Sequence, residues 1–270
     1  MGDANAAGRD DDVIFYNPAQ VAAARGTSAA IEHYGLERNG GTIAAAGPLG
    51  AGGFGVGATL ASSQHLPCAT DTPPYELPPV SGHRLVATAG VAQTWRHTRF
   101  GLTGKYVEEQ IGSGSSSAPL LDVGIGHDYQ LFDRAAITVG AAVQNMGNRD
   151  RQDVATITPL TASLGALAGF PVGPLDLAIA GQMGMPRWQR RSARSRDLHA
   201  GGGVEVGYTW LDGYSVAFRG GVRRTDHDFG TGNWTGGASL VLDRVVIDYA
   251  FEQLTWPDNG VAHRIGLRVR

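Results

Sequence analysis

Few residues in this 270-residue chain have the type and spacing to do chemistry. Gly50, Gly52 and Gly55 satisfy the G-x-G-x-x-G spacing that lets a backbone approach a dinucleotide pyrophosphate. Such a site needs a helix behind its glycines, and Val56-Gly57-Ala58-Thr59-Leu60 reads as strand, so the motif is a glycine hairpin. The eight histidines fall without metal-ligand spacing, and Asp226-His227-Asp228 is at best a weak cation site in a polar loop. No G-x-S-x-G nucleophile motif occurs. Cys68 is the single cysteine, which removes an intramolecular disulfide and a cysteine-based metal site. The expectation is a chain without catalysis, cofactor or metal.

The informative side chains are charged. Lys105, the only lysine, falls on the small, polar face of its segment. Asp122 and Asp128 fall on the corresponding face of the next one. An enclosed charge needs a partner or water, so a Lys105–Asp122 pair is expected, either as a pin for strand register or as part of a polar gate. A second group lies between residues 186 and 197, where Arg187, Arg190, Arg191, Arg194 and Arg196 surround Trp188. Planar guanidinium forks suit phosphates and carboxylates, so this segment either grips an acidic partner or is a solvated loop. The net charge of −3 lacks the basic excess that nucleic acid demands, and no nucleic-acid partner is expected.

The elements that carry these residues alternate with period two. Phe100, Leu102 and Tyr106 oppose Gly101, Thr103 and Lys105; Tyr214, Val216 and Phe218 oppose Ser215, Ala217 and Arg219. About fourteen such segments are readable, with twelve as the lower count: 27–37, 40–47, 52–62, 83–96, 99–110, 119–130, 135–145, 156–170, 175–185, 198–210, 214–224, 233–242, 245–253 and 260–270. Every second connection is short, as at Pro48-Leu49-Gly50 and Leu211-Asp212-Gly213. The others are longer and polar, at 63–82, 111–118, 146–155, 186–197, 225–232 and 254–259; only Arg38-Asn39 is tight. Long loops gathered at one end of an up-and-down meander are the pattern of a transmembrane β-barrel. A helix crossing is excluded by the lack of a long apolar run, but tilted strands of this length span a bilayer. Trp95 and Trp210 sit near short turns, and Trp188, Trp234 and Trp256 near long ones, as two membrane interfaces require.

Glycine, 40 residues in all, has a place in this pattern. Gly53, Gly55 and Gly57 share one strand face, as do Gly201, Gly203 and Gly207, against bulky residues on the other. These glycines either leave space in a lumen or permit strong curvature. On an outside loop, the arginines of 187–196 would meet lipopolysaccharide phosphates or a protein partner. A loop holding Pro67, Pro73, Pro74, Pro78 and Pro79 is extended and either presents a recognition surface or packs over the barrel mouth.

Residues 1–25 do not read as strand. Asp10-Asp11-Asp12 followed by Phe15-Tyr16-Asn17-Pro18-Ala19 resembles the amino-terminal signature of the FadL-type outer-membrane barrels, in particular the PorV/PorQ branch. Gly101-Leu102-Thr103-Gly104-Lys105-Tyr106 with Leu121-Asp122-Val123-Gly124 is similar to a later stretch of that branch. So are Ala141-Ala142-Val143-Gln144-Asn145-Met146-Gly147, Pro159-Leu160-Thr161, and Asp248-Tyr249-Ala250-Phe251 with His263-Arg264-Ile265-Gly266-Leu267. The pieces come in family order along nearly the whole chain. The ending Arg268-Val269-Arg270 departs from the family's aromatic terminus.

The resemblance implies a fourteen-stranded barrel over residues 26–270 whose first 25 residues fold into the lumen as a hatch. Phe15, Tyr16, Asn17 and Pro18 would then turn the chain into the first strand. It also implies a bacterial outer-membrane location, with lipid and lipopolysaccharide as surroundings. No leader of basic and apolar residues is present, so a mature chain is expected. The implied function is a channel for small apolar molecules or a secretion accessory; a plugged scaffold that anchors a partner complex, or a soluble β-rich binding module, are the alternatives.

Overall fold

The computed structural model describes residue 7 and residues 11–34, 38–66, 80–132, 135–147, 158–187, 198–225, 234–253 and 260–270. Fourteen strands run in chain order: β1 Gly26–Tyr34, β2 Arg38–Leu49, β3 Gly52–Leu66, β4 Val80–Trp95 and β5 Thr98–Ile111. Then come β6 Gly114–Phe132, β7 Ala135–Met146, β8 Leu160–Val172, β9 Leu175–Arg187 and β10 His199–Leu211. The last four are β11 Tyr214–Thr225, β12 Trp234–Leu242, β13 Val245–Gln253 and β14 Val261–Val269. Each pairs antiparallel with its neighbours in sequence, and β1 also pairs with β14, so that Ile31 faces Gly41 on one side and Ile265 on the other. Closure leaves no sheet edge unpaired.

Parity along each strand separates two surfaces. Phe54, Val56, Phe100, Leu102, Val123, Ile125, Ile247, Ile265 and Leu267 point outward and are exposed. The intervening positions turn inward: Asp122 is fully buried between exposed Leu121 and Val123. This is the reverse of a water-soluble protein, which rarely exposes so continuous an apolar surface.

One expected loop is absent. Residues 111–118 read as a connection because Ser115, Ser116 and Ser117 have low strand propensity. In the structure β5 and β6 meet in a tight turn at Gly112 and Ser113, and the serines pair with Gln110, Glu109 and Glu108. Ladder pairing with a committed neighbour overrides propensity, which for strands is largely context.

Ahead of β1 the chain forms two 3-10 turns, Asp11–Phe15 and Pro18–Ala22, that pack on the inward face of β1–β7. Val13, Ile14, Val21, Ala22 and Ala24 join Ala46 and Ala92 in the main buried apolar cluster. The barrel turns most of its own large apolar groups outward, and in this cluster the segment supplies the largest buried aliphatic side chains. Each buried Val or Ile contributes about 1.5–3 kcal/mol.

Candidate functional site

Two inner walls face each other across the lumen. The first, on β3–β7, receives the amino-terminal segment. Asn17 links the two: its Oδ1 accepts from the Ala19 N–H at 3.1 Å, and its Nδ2 donates to the Ile125 carbonyl on β6 at 3.3 Å. Pro18 opens the second turn, where a missing N–H leaves no bond unmade. Gln144 on β7 donates to the Phe15 carbonyl at 2.7 Å. The wall is cut back to admit the segment. A methyl group at Gly101 would overlap Pro18, one at Gly124 would overlap the Asn17 amide, and one at Gly57 would lie 2.6 Å from the Phe15 ring. Asn17-Pro18 does not lead straight into the first strand. It opens the Pro18–Ala22 turn, and β1 begins at Gly26.

Lys105 and Asp122 lie deeper in the same wall. Lys105 Nζ is 2.6 Å from Asp122 Oδ2, with both side chains buried. Asp122 Oδ1 also accepts from the backbone N–H of Asn145 at 2.7 Å. Asn145 has φ +62° at a register shift between β6 and β7, and its side chain donates to the Pro159 carbonyl at 2.9 Å. A bulge leaves one residue outside the ladder, and here the carboxylate takes up its amide. Asp128 belongs to a different cluster, nearer the short turns. It accepts from Arg99 at 2.7 Å and from the Thr138 hydroxyl at 2.7 Å.

The opposite wall holds a row of charge that the sequence reading did not single out. Glu205 (β10), Arg219 (β11), Ser239 (β12), Asp248 (β13) and Arg268 (β14) connect five consecutive strands. Arg219 is 3.2 Å from Glu205 and 3.6 Å from Asp248, and it donates to Ser239, which donates to Asp248. Arg268 grips Asp248 with two bonds of 2.7 and 3.0 Å. Above this row Arg223 pairs with Glu252, and Arg264 reaches Glu32 at 3.4 Å. Arg264 also reaches Asp12 of the amino-terminal segment at 3.5 Å, which joins the two walls. The usable signal was parity: each of these residues occupies an inward position of its strand, and every arginine of the row has a carboxylate within reach.

Between the walls lies a cavity of about 740 Å³. Phe15 and Tyr16 of the segment, Val86, Val107, Lys105, Arg219 and Arg264 are among its lining residues. Its charges are largely matched in pairs, and apolar side chains occupy much of the remaining surface. Of the arginine-rich segment, Arg187 ends β9, while Trp188, Arg190, Arg191, Arg194 and Arg196 lie outside the described residues. The same holds for the proline-rich loop at 67–79 and for Asp226-His227-Asp228. No group of metal-ligating side chains occurs among the described residues.

Neither a protein-family model nor a curated protein sequence matches the chain. Solved structures do match. The Pseudomonas putida toluene transporter TodX is similar at a TM-score of 0.55 and 12% identity, over 96% of this chain and 92% of that one. A TodX variant described as a monoaromatic hydrocarbon channel, the deltaS2S3 mutant, gives a TM-score of 0.59 at 11% identity, over 95% and 92% of the two chains. At such identities the likeness establishes the fold: a closed, antiparallel fourteen-stranded barrel.

Proposed function

We propose that this protein is a non-enzymatic barrel of the bacterial outer membrane that acts as a channel for small apolar molecules, with residues 11–24 as the hatch of its lumen. The observation that carries the reading is the combination of an exposed apolar outer surface with a lumen cavity of about 740 Å³ beside the seated amino-terminal segment. The outer surface belongs in hydrocarbon, and only closed barrels and helices satisfy their backbone there. The cavity is large enough for a small organic solute. Its paired charges present little net charge to a neutral cargo, and Phe15 and Val86 offer it apolar surface. The likeness to TodX, itself described as a toluene transporter, supports an apolar cargo. The PorV/PorQ-like reading as a secretion accessory, and contact of the 187–196 loop with lipopolysaccharide or a protein, rest on the sequence alone.

A second reading is favoured by the close fit of the segment. Glycines 57, 101 and 124 leave no room for a side chain, as suits a permanent plug, and a plugged barrel would serve as an anchor for a partner. Uptake of labelled toluene into proteoliposomes separates the two. A channel takes toluene up, and Gly101→Val, which displaces Pro18, raises small-ion conductance. Absence of uptake by both proteins would leave the scaffold.

A further inference from the structure

Four of the described turns at the short-loop end hold one residue each in the left-handed region: Gly50, Gly173, Gly213 and Asp243. In the β4–β5 turn that position is Arg96, with φ +58°. Glycine and aspartate tolerate this conformation, whereas a long side chain is uncommon there. The arginine is therefore out of place as a turn residue, and its surroundings give it an occupation. Its guanidinium carbon lies 5.4 Å from the centroid of the Trp95 ring, which points outward and is strongly exposed. His97 stands edge-on to His127 at 6.4 Å, and His127 lies 4.3 Å from Tyr129. The His127 Nδ1 and Thr98 hydroxyl are 2.8 Å apart, and the His97 carbonyl accepts from the Asp128 N–H at 3.0 Å, which ties the turn to β6. The Asp128 carboxylate itself points inward to Arg99. Among the described residues, no carboxylate stands on the outer face of β4–β7 at this level. The panel is thus cationic and aromatic, and it adjoins the exposed apolar side chains Phe100 and Ile125.

We propose that this panel binds an anionic glycerophospholipid. The phosphate meets the Arg96 guanidinium and the Trp95 indole N–H, and the acyl chains lie along Phe100 and Ile125. A guanidinium matches phosphate geometrically, and amphipathic rings sit at headgroup depth. The short turns of such barrels face the periplasm, where the leaflet is made of phospholipid. The Trp95 ring holds the guanidinium in place before the lipid arrives, so less of its freedom is lost on binding. The site rests on the membrane reading above, but not on channel activity.

Native mass spectrometry of the full chain in mild detergent, titrated with phosphatidylglycerol or phosphatidylethanolamine, tests it. One phosphatidylglycerol is expected to survive activation that strips phosphatidylethanolamine. Arg96→Gly should lower the retained fraction at least about five-fold, while Arg244→Gln, at the β12–β13 turn, leaves it unchanged. Glycine relaxes the turn, so the thermal midpoint of Arg96→Gly in lipid-free detergent should stay level or rise, and lipid loss then has no origin in misfolding. Equal retention of the two lipids by the parent chain, or undiminished retention by Arg96→Gly, overturns the site. A chain that stays monodisperse without detergent overturns the membrane reading and the site together, a result distinct from lost selectivity.

Discussion

Lys105 and Asp122 show how much a single inward charge depends on its neighbours. With both side chains almost wholly enclosed, removing the ammonium leaves Asp122 charged, buried and bonded only to the Asn145 amide. Lys105→Met should therefore destabilise the barrel by about 3–5 kcal/mol, the usual range for breaking a buried pair. Combining it with Asp122→Asn removes the stranded charge and keeps an acceptor for the Asn145 N–H, so the double variant should recover most of that loss. Thermal unfolding in detergent reads both. If the single and double variants melt together, the pair does not pin the register. The sequence made these two residues legible because parity put both on the inner face of adjacent strands. It did not show why Asp122 sits where it does: the reason is a bulge at Asn145, and β7 ends one residue later at Met146, too soon for the shifted phase of the period-two pattern to show.

The amino-terminal segment is held by apolar burial, by the Asn17 and Gln144 bonds, and by the ion pair from Asp12 to Arg264. The ion pair is partly exposed and 3.5 Å long, so its share of stability is small, on the order of 1 kcal/mol or less. Its effect should fall on the segment rather than the barrel. Arg264→Gln is expected to raise proteolytic cleavage within residues 11–24 several-fold while the melting temperature of the barrel hardly moves. Cleavage at the parent rate would remove Arg264 from the hold on the segment. Strand elements were readable almost throughout, since each of the fourteen expected segments overlaps a strand of the structure. The difference at 111–118 has a physical reason: strand faces are legible where side chains differ in size and polarity, and serine is too small to declare a face. The charged row from Glu205 to Arg268 was hidden for a different reason. Its members lie on five consecutive strands, and the register of each strand pairing, which the sequence does not state, brings them into one array.

The whole molecule makes one claim that no single strand can: that its outer surface meets hydrocarbon at mid-height and headgroups at the rims. Leu102 lies within the apolar belt on the outer face of β5, flanked by exposed Phe100, Val91 and Val123, while Leu131 lies at the short-turn end of β6, beyond the last residue paired with β5. Both side chains are about half exposed, so local packing treats an arginine at either place alike. A bilayer does not. At its midplane an outward arginine costs about 2–4 kcal/mol, and near the interface about 0–1, because the side chain reaches water. Leu102→Arg should accordingly lower folding stability in phospholipid vesicles by several-fold more, in kcal/mol, than Leu131→Arg, and the gap should shrink in detergent micelles, which deform around a charge. In a soluble barrel the order would vanish, since each arginine would simply replace an exposed leucine. Equal costs at the two heights in vesicles would therefore contradict the membrane depth assigned to the belt, whatever the lumen carries.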